Sequence, residues 1–92
     1  MNMKTKNLSE DYLQELGHRF KIIRTFLRLD QLKMSNLLKI GQSQMSKIEA
    51  GRSAPTLYQL IKLKRIAEED DYLRENLTWE WILEGKGKGI IG

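Results

Sequence analysis

The stretch Gln31-Leu32-Lys33-Met34-Ser35-Asn36-Leu37-Leu38-Lys39-Ile40-Gly41-Gln42-Ser43-Gln44-Met45-Ser46-Lys47-Ile48-Glu49-Ala50-Gly51 decides the fold. Met34 and Leu38 stand four residues apart, and Met45 and Ile48 three apart, so each half carries a narrow apolar edge at helical spacing. Asp30 can cap a helix over 31–38, with Ile40 pointing inward just beyond its end. Gly41 precedes a second short helix over 42–49. Gly51 then stops that helix, because glycine enters the positive-φ region freely. Two short helices joined by about three residues predict a helix-turn-helix.

Upstream, Leu13, Leu16, Phe20, Ile23 and Leu27 recur at steps of three and four, one stripe on one helix face. Ser9 is placed to cap it, with Glu10 and Asp11 in the first turn, which predicts a helix over 10–28 behind a flexible N-terminus at 1–8. Ile22, Phe26 and Leu29 widen the apolar face, so a second element must cover them. Downstream, Pro55-Thr56-Leu57-Tyr58-Gln59 contains a Thr-x-x-Gln capping box that opens a further helix. Leu57, Leu60, Ile61 and Leu63 are its inward residues, with Ile66 and Ala67 extending the face. Residues 68–76 are hydrophilic and fit either a helix extension or a loop. Thr78 caps a last helix over 79–84, in which Trp79 and Trp81, two residues apart, cannot face the same core. The body at 9–85 is then five helices, and the tail at 86–92 is too glycine-rich to hold structure by itself.

Ninety-two residues suit one domain. The apolar share of 40% and charged share of 30% are those of a soluble globular chain. No apolar run approaches the roughly 18 residues of a membrane span, so no membrane partner is expected. Met1 to Asn7 has no apolar stretch behind it and does not read as a secretory signal. With no cysteine, disulfides, thiol catalysis and cysteine-ligated zinc are excluded. His18 has no second histidine or paired carboxylates at ligand spacing, so it reads as an ordinary helix residue. No nucleophile–base pair, phosphate-binding glycine loop or metal cluster is visible, so neither an enzyme nor a cofactor is expected. The net charge of +4 is unevenly spread. Residues 1–65 carry thirteen Lys/Arg against five Asp/Glu, and residues 66–92 three against seven. A basic body with an acidic end points to a polyanionic partner.

The Gln31–Gly51 stretch resembles the helix-turn-helix of the phage Cro/repressor-like family, also called the xenobiotic-response-element family. The matching features are Gln31 at the helix start, Met34-Ser35, Leu38, Ile40, Met45, then Ser46-Lys47-Ile48-Glu49-Ala50-Gly51 and Pro55 four residues on. The likeness runs without a gap from Leu16 to Leu63 and resumes over Leu77–Gly85. Lys39 stands at a turn position that is usually glycine in the family, and lysine there fits a turn that closes without positive φ. Gly41 replaces the usual Ser or Thr cap, and the chain between Leu63 and Leu77 is longer than the family pattern.

The resemblance implies an all-α, five-helix, lambda-repressor-like domain that regulates transcription by binding double-stranded DNA. In such motifs the second short helix enters the major groove, which here offers Gln42, Ser43, Gln44, Ser46 and Lys47 to base edges. Phosphate contacts are expected from Gln31, Lys39, Arg52, Ser53 and Thr56, with Gln31 also buttressing the Gln42 side chain. Arg24 and Glu49 are implied to form a structural salt bridge, and Trp81 to be the buried tryptophan. That leaves Trp79 as a candidate dimer contact. A homodimer on a pseudo-palindromic operator is expected, acting as a repressor or antitoxin-like autoregulator, with a toxin or other regulator as a further protein partner. Such a protein would be cytoplasmic and nucleoid-associated. The competing expectation is a non-catalytic protein-interaction module on the same fold. The polar outer positions of 42–49 favour DNA.

Overall fold

Four short polar side chains fix where helices start. Asp30 accepts a hydrogen bond from the Lys33 amide at 2.8 Å, and Thr56 from the Gln59 amide at 3.0 Å. Asp70 accepts from the Leu73 amide at 3.0 Å, and Thr78 from the Trp81 amide at 3.1 Å. Each satisfies a backbone N–H that the first helical turn leaves without a partner. In the computed structural model, which describes residues 3–90, the helices are α1 (Met3–Phe26), α2 (Gln31–Leu38), α3 (Gln42–Glu49), α4 (Leu57–Ala67), α5 (Asp71–Asn76) and α6 (Trp79–Glu84). There is no strand among the described residues, and no helix is long and apolar enough to cross a membrane. The capping box at Thr56 is complete, since the Gln59 side chain also accepts from the Thr56 amide at 2.9 Å.

Among the described residues six helices stand where the sequence predicted five. The additional one is α5, within the segment left open between helix and loop, and its cap Asp70 sits inside an acidic run that hid it. α1 begins at Met3, so Ser9 lies within the helix instead of capping it; residues 1 and 2 of the expected flexible N-terminus lie outside the described residues. The tail carries no helix, but Ile90 is buried in the core, and Gly89 passes close to the Trp81 indole. Residues 91 and 92 lie outside the described residues.

The turns differ from expectation at Lys39. Its φ is 59°, so this turn closes in the left-handed region without glycine. The Ile40 amide reaches back to the Ser35 carbonyl at 3.0 Å and the Lys39 amide to Asn36 at 3.2 Å, a pattern that satisfies the last carbonyls of α2. Arg28, with φ 61°, ends α1 the same way, through Leu29 to Arg24 at 3.2 Å. Gly51 takes φ 78° after α3.

The core gathers Leu16, Phe20 and Ile23 of α1, Met34 and Leu38 of α2, and Met45 and Ile48 of α3. The later helices close over them with Leu60, Leu63, Leu73 and Ile82. Leu57, read as inward, is 71% exposed on the first turn of α4. Gly17 sets how closely α1 meets α3: a Cβ there would lie 2.2 Å from the Ile48 carbonyl oxygen. At Gly51 a Cβ would meet the Gln14 backbone at 2.8 Å. Two glycines therefore let the C-terminal end of α3 press directly on α1. At the other side of α1, the buried Arg19 donates from Nε to the Ile82 carbonyl at 2.8 Å and from Nη2 to Leu83 at 3.3 Å. A cation is thus held against the C-terminal carbonyls of α6, where the helix dipole favours positive charge.

Candidate nucleic-acid interface

α3 divides by periodicity. Met45 and Ile48 face the core, so Gln42, Ser43 and Lys47 are left on the exposed side. Its N-cap, Gly41, offers no side chain, and nothing stands within 4 Å of the place its Cβ would occupy. The approach to the first turn of α3 is therefore open. Ser46 is half-buried between the two sides.

What holds α3 in place lies at its other end. Glu49 receives a two-point ion pair from Arg24, Nε to Oε2 at 2.6 Å and Nη2 to Oε1 at 3.1 Å. The side chains are only 11% and 5% exposed, so water screens the pair little. Arg24 Nη1 also donates to the Leu29 carbonyl at 2.8 Å, tying the turn after α1 to the same group. Gln31 donates from Nε2 to Glu49 Oε1 at 2.9 Å. One carboxylate thus joins α1, α2 and α3.

Four residues expected at DNA have internal bonds: Gln31, Gln44, Ser53 and Thr56. Gln31 is half-buried on Glu49, so its amide is oriented by that carboxylate and not by the Gln42 side chain. Gln44 is half-buried and donates to the Ser53 hydroxyl at 2.9 Å, bracing the loop after α3. Neither bond exhausts its group: each amide keeps a second N–H, and the Ser53 hydroxyl, accepting from Gln44, keeps its proton to donate. Thr56 is in the same position, since its hydroxyl oxygen accepts from Gln59. Lys39, Arg52 and Thr56 are exposed, and Ser53 is half-buried. The surface around α3 therefore presents three exposed cations, Lys39, Lys47 and Arg52, with hydroxyl donors at the loop and an amide–hydroxyl pair on the open first turn.

Trp81 is 8% exposed and Trp79 38%, as two tryptophans two residues apart on one helix require. Lys64 Nζ lies 5.5 Å from the Trp79 ring centre. Leu32 and Leu37 are exposed on α2, at 52% and 44%. His18 is exposed on α1. Sequence reasoning missed the roles of Arg19 and Gly17. A glycine inside the α1 stripe was the available sign, because glycine costs about 1 kcal/mol in a helix and needs a packing reason to stand there. Neither a family model, nor a curated protein, nor a solved structure matches the chain.

Proposed function

We propose that this chain is a sequence-specific DNA-binding transcriptional regulator, a repressor or antitoxin-like autoregulator on a lambda-repressor-like arrangement. The observation that carries this reading is the division of α3, with Met45 and Ile48 buried and Gln42, Ser43 and Lys47 exposed. A short helix held from behind, with a polar outer face and an open N-terminus, suits the major groove. Gln42 pairs bidentately with adenine, Ser43 with either kind of edge, and Lys47 with guanine acceptors. Arg52, Lys39 and the hydroxyls of Ser53 and Thr56 bond to phosphates and set the register. Gln31 and Gln44 add their remaining N–H groups from positions fixed by Glu49 and Ser53.

One such motif covers little surface, so useful affinity calls for two copies on an inverted repeat, with Trp79 at the contact between them. Selection of bound sites from random duplex DNA tests the reading. The expected result is an inverted repeat whose half-sites lie about 10–10.5 bp apart, centre to centre, or a multiple of that. If no sequence is enriched at low salt, the chain is the alternative, a protein-interaction module that does not read DNA.

A further inference from the structure

An apolar groove of about 430 Å³ lies open between α4 and α6, lined by Leu57, Leu60, Ile61, Trp79 and Leu83. Its charged margin is lopsided. Lys64 and Glu68 neutralise each other in a 2.6 Å ion pair, whereas Arg65 makes no ion pair among the described residues. Arg65 is thus the lining cation of this groove without a carboxylate partner among the described residues. The groove therefore fits an apolar side chain flanked by carboxylates. Packing two such grooves face to face would instead bring cationic margins together.

The same chain carries a segment of the complementary kind. From Glu10 onward the first buried side chain of α1 is Leu16; Glu10, Asp11, Tyr12 and Glu15 are exposed. Asp11, Tyr12 and Glu15 fall within one arc of the helix, about 100° wide at 3.6 residues per turn. Tyr12 is 38% exposed. The stretch belongs to the 24-residue α1 and is anchored where the Gln14 backbone meets Gly51, so Asp11, Tyr12 and Glu15 stand on a formed helix. Asp11 and Glu15, like charges one turn apart, repel each other unless a cation faces them.

We propose that these two features cover each other between copies: the Asp11–Tyr12–Glu15 face of α1 docks into the α4/α6 groove of a second copy, reciprocally. Tyr12 lies against Trp79 and Ile61, and the two carboxylates face Arg65. Mutual exchange closes a two-fold dimer without leaving a free surface for further growth. This rests on the dimer put forward above and specifies its surfaces.

Sedimentation velocity across a concentration series, without DNA, is the test. Arg65→Glu should weaken the dimer about tenfold or more, as should Asp11→Lys with Glu15→Lys, because each places like charges together. All three changes in one chain should return the dimer to near its original strength. Hydrogen exchange of the unmodified chain gives a second measurement that needs no variant. Amides of residues 11–15 should gain protection as concentration rises through the dimer transition. The proposal is overturned by a dimer indifferent to both reversals, by rescue of Arg65→Glu through Glu68→Arg, by unchanged exchange at 11–15, or by a chain monomeric throughout. Since no DNA is present, each of these outcomes leaves the DNA-binding reading to its own experiment.

Discussion

Replacing Gly17 with alanine should destabilise the protein, against the usual effect of that substitution in a helix. The new Cβ would fall 2.2 Å from the Ile48 carbonyl oxygen and 2.9 Å from that of Glu49. An ordinary carbon–oxygen approach is about 3.3–3.6 Å, so α1 and α3 must separate by roughly 1 Å. Both obstacles are backbone atoms and cannot rotate aside. Separation loosens Phe20 and Ile23 against Met45 and Ile48 and stretches the Arg24–Glu49 pair. Overpacking of this kind costs about 1–3 kcal/mol, and more where backbone has to move. The better helix propensity of alanine returns about 1 kcal/mol. A net loss of about 2 kcal/mol is expected, which lowers Tm by about 8–16 °C for a domain of this size. Urea denaturation and thermal melts followed by circular dichroism measure it. A Gly17→Ala protein as stable as its parent, or more stable, would falsify the close α1–α3 approach, because alanine at an open helical site stabilises.

Arg24→Ala should cost about 3–5 kcal/mol by stranding the buried Glu49 carboxylate with Gln31 as its one remaining side-chain partner, whereas replacing both residues with methionine should cost less; equal urea midpoints for Arg24→Ala and the parent would contradict this. Arg28→Gly and Lys39→Gly should each stabilise by about 1 kcal/mol, since both residues hold positive φ that costs an L side chain and not glycine; a fall in Tm for either would count against the turn geometry. Gln42→Ala should cost roughly 1–3 kcal/mol at one base pair of the selected site and relax preference there, while Arg52→Ala should weaken all sequences alike and reduce the salt slope by about one. Titrations of the best site and its single-base variants at several salt concentrations separate the two. Base preference that moves with Arg52 and not with Gln42 would mean that α3 is docked wrongly.

The helix ends were the most legible part of the chain. The bounds of α2, α3 and α6 are those the sequence predicts, because a capping Asp30 or Thr78 and a stopping Gly51 act on neighbouring backbone alone. The Thr56–Gln59 box is equally local. Features that depend on distant partners were not readable in this way. Leu57 has helical spacing like Leu60, but no element covers the first turn of α4 on its side. At Lys39 the expected turn without positive φ is not the one formed, because lysine seldom takes the left-handed conformation that here accompanies the 3.0 Å Ile40–Ser35 bond. At the candidate interface, exposure of Gln42, Ser43 and Lys47 follows from periodicity. The internal bonds of Gln31 and Gln44 do not, since each reaches a residue on another element or loop. Arg19 looked like one more basic residue, and only the placement of α6 gives it carbonyls to hold.

The fastening of α3 has a consequence for how this protein can change over time. Gly17, Gly51, Arg24 and Gln31 all act on the last turn of the helix or just past it, at Ile48, Glu49 and Gly51. The first turn is entered from Gly41, which makes no side-chain bond, and carries Gln42 and Ser43 into open space. An eight-residue helix is in this way split into a fixed root and a free tip. Substitutions at the tip leave the root's ion pair and close contacts untouched, so mutation can explore many surfaces there while the scaffold stays the same. Descendants of one such gene could diverge in what they recognise without passing through unfolded intermediates.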